Sequence, residues 1–267
     1  MKEVSDSELK QIQLEILLHV DKFCKEHDIK YSIYAGTLIG TVRHHGFIPW
    51  DDDIDIMMLR DQYNKFVSEY RKREQKEHRL YAFEIDNNWT HAYAKVDDQR
   101  TLLIHNVSSQ YLTGVTIDIF PIDKVPSDEN IRRKIYFRHD LYRKLRAAKV
   151  LKIGKHRNII KNLIILVNRI LLYPISIKML VGWINSKASQ FENECCDYCG
   201  NVVWGYGRRE MHPLSDFDDY INMKFEGYDV PVLKGYHNYL TATFGDYMQL
   251  PPKEMQIRHH DFKAYWK

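Results

Sequence analysis

Residues 47–59, FIPWDDDIDIMML, put four aspartates into five positions and then run straight into apolar side chains. Like charges that close together repel, and the interior of a strand is a poor place for them. From Asp53 onward the order is Asp-Ile-Asp-Ile-Met-Met, the two-residue period of a β-strand, with Asp53 and Asp55 on one face. The chain must therefore build a sheet that buries the isoleucines. It must also give the carboxylates water, a lysine or a metal to cancel their charge. A later stretch, TIDIF at 116–120, repeats the pattern with Asp118 between two isoleucines.

Three carboxylates converging from two strands are costly unless a cation sits between them. Hard oxygen ligands of this kind suit Mg²⁺ or Mn²⁺, which leave coordination positions for substrate phosphates. Two such ions activate an attacking oxygen and stabilise a leaving one. The competing reading is a solvated acidic turn. The Asp-x-Asp alternation, the upstream Ala35-Gly36-Thr37 and the second acidic strand favour the metal site, with Asp51 and Asp52 left to the turn.

Around these strands the pattern is mixed. Leu9, Ile12, Ile16, Leu17, Val20 and Phe23 recur at helical spacing between residues 5 and 25, with Asp6 or Ser7 as N-cap. IKYSIYAGTLIG reads as a strand that breaks at Gly36 into a turn or short helix, and residues 61–76 read as an exposed helix. RLYAFEI, THAYAKVDD and GVTIDIFPID are further strand candidates. Residues 128–200 are basic and helical, and the remainder mixes short strands and turns. The expected fold class is α+β, a mixed β-sheet core flanked by helices. Its expected parts are 1–127 with the acidic site, a helical insertion over 128–200, and 201–267 completing the core.

Charge and composition exclude several classes. Thirty-nine basic against 36 acidic residues leave only +3, so nucleic acid is not an expected partner. No stretch at the N-terminus reads as a secretory signal and no apolar run of about 18 residues offers a membrane span. Four cysteines in that context suggest a reducing compartment, and the expected location is cytoplasmic. Eighteen Tyr and five Trp suit a site for sugars, bases or an organic cation.

Taken together, YAGTLIGTVRHHGFIPWDDDIDIMM, AYAKVDDQRT, IDIFPID and FEGYDVPVLKGYHNYLTATFGDYMQLPP resemble the LicD family of phosphotransferases, the bacterial phosphocholine transferases related to the fukutin group. The resemblance spans most of the chain apart from the helical insertion. It implies a nucleotidyltransferase-like fold with Gly36 and Thr37 in a phosphate-cradling turn. It also implies Asp53, Asp55 and Asp118 as the catalytic, metal-holding residues. The loop that follows Gly36-Thr37, with Arg43, His44, His45 and Trp50, is longer than the general nucleotidyltransferase pattern. Lys95 would neutralise phosphate charge; Arg43 would hold a phosphate or pair with Asp51 or Asp52. Glu210, Arg258, His259 and His260 match family positions, where a substrate role and a structural one stand level.

The activity so implied is Mg²⁺- or Mn²⁺-dependent transfer of phosphocholine from CDP-choline to a sugar hydroxyl of a lipid-linked teichoic-acid or lipopolysaccharide precursor. The alternatives are transfer of another CDP-linked group, glycerol or ribitol phosphate, or a catalytically inactive protein of cell-wall assembly. Cys196, Cys199 and His212, with Cys195 as an extra ligand, open like a zinc site but lack the second histidine. Residues 155–184 carry an apolar face flanked by Lys155, Arg157, Lys161, Arg169, Lys178 and Lys187, interrupted by Asn168 and Pro174. They would lie peripherally on the inner face of the plasma membrane or pack as a helical pair on the core.

Overall fold

A computed structural model of the chain describes residues 1–73, 76–86, 88–105, 112–151, 153, 158–258 and 262–267. Its first helix, α1 (Asp6–Glu26), buries the six periodic apolar residues named above. The N-cap is Ser5, not Asp6 or Ser7. Ser5 Oγ accepts from the Glu8 N–H at 3.3 Å and the Glu8 carboxylate accepts from the Ser5 N–H at 2.8 Å. This Ser-x-x-Glu box satisfies two orphan donors at once, which neither neighbour can do.

The chain continues through β1 (Ser32–Ile33), α2 (Ala35–His44), β2 (Asp55–Leu59), α3 (Arg60–Tyr70), β3 (His78–Tyr81), β4 (Ala94–Asp98), β5 (Thr101–His105) and β6 (Thr116–Val125). Three helices follow, α4 (Glu129–Val150), α5 (Ile159–Leu171) and α6 (Ile177–Ala188). Then come β7 (Tyr198–Gly200), β8 (Met211–Pro213), β9 (Tyr220–Phe225), β10 (Tyr228–Leu233), α7 (Tyr236–Phe244) and β11 (Phe262–Trp266).

Among the described residues, seven strands form one mixed sheet in the order β1-β2-β6-β4-β3, with β7 on the far end of β6 and β8 beyond it. Strand β2 runs parallel to β6; β1, β4 and β7 are antiparallel to their neighbours. As the central strand, β6 is buried along nearly its whole length, although it carries Thr116, Asp118, Asp123 and Lys124. Its buried Asp123 is matched by Arg60 at the start of α3, in a two-pronged pair of 2.7 and 2.9 Å. Helix α3 is not the exposed helix its composition suggests, because Tyr63, Phe66, Val67 and Tyr70 turn onto the core.

Two small antiparallel pairs, β9–β10 and β5–β11, complete the molecule. The residues after 128 enter as helices between β6 and β7, and the chain returns to the main sheet at β7 and β8. Helix α6 packs inward through Leu180, Val181 and Ile184, whereas in α5 only Ile165 is buried. Lys155 and Arg157 lie outside the described residues. No helix among the described residues is long and apolar enough to cross a membrane.

Candidate active site

The parallel register of β2 and β6 sets Asp55 directly beside Asp118. The antiparallel register of β6 and β4 sets Asp118 beside Lys95. A row of two carboxylates and one ammonium therefore crosses three neighbouring strands on one face. Lys95 Nζ donates to both Asp118 oxygens, at 2.6 and 2.8 Å. Asp55 begins β2, and its backbone is fixed on both sides. Its N–H donates to Thr37 Oγ1 at 2.9 Å, and its carbonyl accepts from the Tyr34 N–H at 2.9 Å.

That contact ties the acidic strand to the first turn of α2. Gly36 stands there because a side chain would meet Asp51, whose Oδ2 lies 2.9 Å from the position of a Cβ. Ala35, just before it, holds a left-handed φ of 46°, a strained start to a helix whose N-cap residue Tyr34 gives no side-chain bond. The Gly36-Thr37 segment is thus the N-terminal end of α2, with the favourable partial charge such an end presents to anions.

Strand β2 begins only at Asp55, so two-residue alternation does not govern Asp51, Asp52 or Asp53. Oxygens of these three lie within 4.8 Å of one another. Burial pushes the Asp55 carboxyl well above the usual carboxylate range, and the charges of Asp53, Asp118 and Asp51 push it further, against Lys95. Asp51 thus faces the site rather than serving only the turn, a residue that strand periodicity misses. Asp52 is engaged by a cation as well. It is buried, bonded by Arg258 Nε, and Arg258 also reaches Asp6 at 2.8 Å. Its carbonyl accepts from Gln13 on α1 at 2.9 Å.

Other expected residues sit apart from the row. Arg43 is in the last turn of α2, about seven helical residues or roughly 10 Å along the axis from Gly36. Its Nη1 donates to the carbonyls of Tyr247 at 2.7 Å and Gln249 at 3.2 Å, so the guanidinium latches the 247–249 loop instead of pairing with Asp51 or Asp52. Glu210 is buried in a shell of hydroxyls and amides. Tyr34 and Tyr239 donate to Oε1 and the Tyr206 N–H to Oε2, at 2.6 Å for the last. Burial raises its carboxyl to about 7. Its work is to hold the 204–206 loop, where Gly205 at φ 106° leaves no room for a side chain against the carboxylate. His259 and His260 lie outside the described residues.

That loop presents Trp204 and Tyr206, 41% and 53% exposed. Trp204 packs against Tyr93 at 5.7 Å between ring centres, and Lys95 Nζ lies 5.6 Å over the same Tyr93 ring. The Tyr206 phenol is pushed upward by burial and then by Asp55, Glu210, Asp53 and Asp51, which places it in the field of the acidic cluster. These aromatics are the second group that spacing did not single out.

The cysteines do not make a zinc site. Cys199 and His212 face each other across β7 and β8, yet among the described residues the acidic loop is the one His, Cys, Asp or Glu group close enough to hold an ion. Cys196 and Cys199 are buried thiols raised by that burial, and Cys195 is exposed. Asp51, Asp52 and Asp53, with oxygens within 4.8 Å of one another, are hard donors of the kind Mg²⁺ or Mn²⁺ would take, and the charges of Asp53 and Asp51 raise the nearby Asp55 carboxyl.

The sheet aligns carboxylates on neighbouring strands beside a glycine-led helix, and similarity to known proteins gives this arrangement its class, a transferase with a nucleotidyltransferase-like domain. The family model for the LicD/FKTN/FKRP nucleotidyltransferase domain matches residues 28–154. The chain is also 34% identical over 272 aligned positions to the lipopolysaccharide cholinephosphotransferase LicD of Haemophilus influenzae, covering 99% of both chains. Shorter matches of 41% over 56 residues and 40% over 47 link it to uncharacterised proteins of Rickettsia typhi and Rickettsia prowazekii. Each of these spans about a fifth of this chain and 18% of the relative. The chain belongs to the LicD family.

Proposed function

We propose that the protein moves phosphocholine from CDP-choline to a sugar hydroxyl of a lipopolysaccharide or teichoic-acid precursor, using Mg²⁺ or Mn²⁺. The observation that carries this reading is end-to-end similarity to a relative named as a lipopolysaccharide cholinephosphotransferase. The acidic row alone would serve any CDP-linked donor. Asp53, Asp55 and Asp118, with Asp51 beside them, would hold the ions, which when bound supply charge neutralisation for the diphosphate.

The chain's own residues do the rest. The α2 N-terminus at Gly36 and Thr37 offers backbone N–H groups to a phosphate. Asp118 takes the proton of the acceptor hydroxyl as its oxygen attacks the choline-bearing phosphorus and the bond to CMP breaks. Once Asp118 is neutral, Lys95 is released from both its oxygens and can follow the charge growing on the departing phosphate. Trp204 and Tyr206 supply aromatic faces beside carboxylates, the environment that attracts a quaternary ammonium. The reaction takes place in the cytoplasm, at the membrane that carries the lipid-linked acceptor.

The test is CMP release from CDP-choline, Mg²⁺ and a lipid-linked glycan precursor, run beside CDP-glycerol and CDP-ribitol. Release from either of the latter with none from CDP-choline would discard the choline reading. An inactive assembly protein would release CMP from none of the three and would show no Mn²⁺ stabilisation that Asp53→Asn removes.

A further inference from the structure

Helix α5 is built inside out. A helix in a water-soluble fold turns its apolar stripe to the core and its polar side outward. Here the packed side sets the half-buried Asn162, Asn168 and Arg169 around one buried apolar residue, Ile165. Ile160, Leu163, Ile164, Val167, Ile170 and Leu171 are 45–70% exposed. The packed side is also the one that is fastened. Arg169 donates to backbone carbonyls at the end of α4, Ala148 at 3.2 Å and Leu151, so α5 is fixed with its apolar side away from the protein.

Charge supplies an independent observation. From residue 141 to 191 the chain carries eleven Lys or Arg and no Asp or Glu. On the described part, Lys161 on α5 and Lys178 at the start of α6 are exposed. A second copy of the chain would bring an equally basic segment to the contact, where like charges repel. An anionic bilayer meets both features, with acyl chains for the apolar stripe and headgroups for the lysines. The thirteen residues of α5 reach about 20 Å, too short to span a bilayer but suited to lying in its interface.

We propose that α5 docks the protein flat on an anionic lipid surface, its apolar face in the interface and the neighbouring lysines on the headgroups. This rests on none of the donor chemistry. The test is flotation of the full chain with phosphatidylglycerol vesicles, with phosphatidylcholine vesicles as the neutral control. A double variant, Leu163→Glu with Val167→Glu, is run beside it. Both positions are exposed, and unchanged circular dichroism would show that the variant folds.

The expected result is binding to phosphatidylglycerol that weakens roughly tenfold or more in high salt. Binding should be far weaker on the neutral vesicles and lost in the double variant. No flotation at low salt would overturn the proposal, as would flotation that the double variant leaves intact. So would a wild-type dimer in sedimentation velocity that ignores vesicles and becomes a monomer in the variant.

Discussion

Replacing Asp55 by Asn should make the protein more stable while removing its response to metal. The Asp55 carboxyl sits among Asp53, Asp118 and Asp51, with Lys95 as the opposing cation. Two unit charges about 5 Å apart repel by about 3 kcal/mol at the effective dielectric of a protein surface. With Lys95 returning part of that, the net relief in Asp55→Asn is on the order of 1–3 kcal/mol. The backbone bonds to Thr37 and Tyr34 do not involve the side chain and survive the change.

Because its folded value is raised, the carboxyl favours folding below its unfolded value, and this contribution is lost as pH rises through the folded value. The advantage of Asn should therefore be full at high pH and vanish towards pH 4. Metal works in the opposite direction. At about 100 times its dissociation constant a bound ion stabilises the wild type by about 2.7 kcal/mol, or roughly 5–10 °C for a chain of this size. Thermal unfolding in EDTA and in Mn²⁺ reads both effects. Wild type melting above Asp55→Asn in EDTA, or equal Mn²⁺ shifts in the two proteins, would refute the reasoning.

Other outcomes follow from the same geometry. Asp123→Ala strips the buried Arg60 of its partner and should cost about 3–5 kcal/mol in urea unfolding, whereas a loss under 1 kcal/mol would mean the pair is not desolvated. Burial holds His19, His139 and His212 down at about 4, below their unfolded value. Their contribution is therefore complete above pH 6.5 and is lost as pH falls towards 4. Discounted for partial exposure, this predicts a melting temperature lower by on the order of 5–10 °C at pH 5 than at pH 7; a flat profile would contradict it. Trp204→Ala with Tyr206→Ala should raise KM for CDP-choline about tenfold with little change in kcat. Equal losses on CDP-glycerol would show that the rings serve the nucleotide instead.

Much of the acidic site is legible because strand periodicity and charge conflict there. Asp55 and Asp118 follow from alternation, and their cross-strand partnership is what a shared ion needs. Asp51 falls outside the alternation, which reads from Asp53 and leaves Asp51 to the turn, and β2 itself begins only at Asp55, two residues later. Arg43, expected at a phosphate or on Asp51 or Asp52, instead bonds the 247–249 loop. Of the turn or short helix expected after Gly36 the chain forms the helix, and seven residues of it carry Arg43 to the last turn of α2. Strand candidates around β3 and β4 were too long, since RLYAFEI and THAYAKVDD each form a strand over only part of their length. Helix α7 and strand β11 are short, locally ambiguous elements completed by distant partners. Helix α5 shows the deepest limit: periodicity reports that a helix has an apolar face, and tertiary packing alone decides whether that face turns inward or outward.

The central claim is that this acidic row transfers phosphocholine, and CMP release tests it most directly. With CDP-choline, Mg²⁺ and a lipid-linked glycan precursor, the wild type should release CMP and leave phosphocholine on the glycan. Asp55→Asn should do neither. Glycan-dependent CMP release from CDP-ribitol or CDP-glycerol, with none from CDP-choline, would contradict the account.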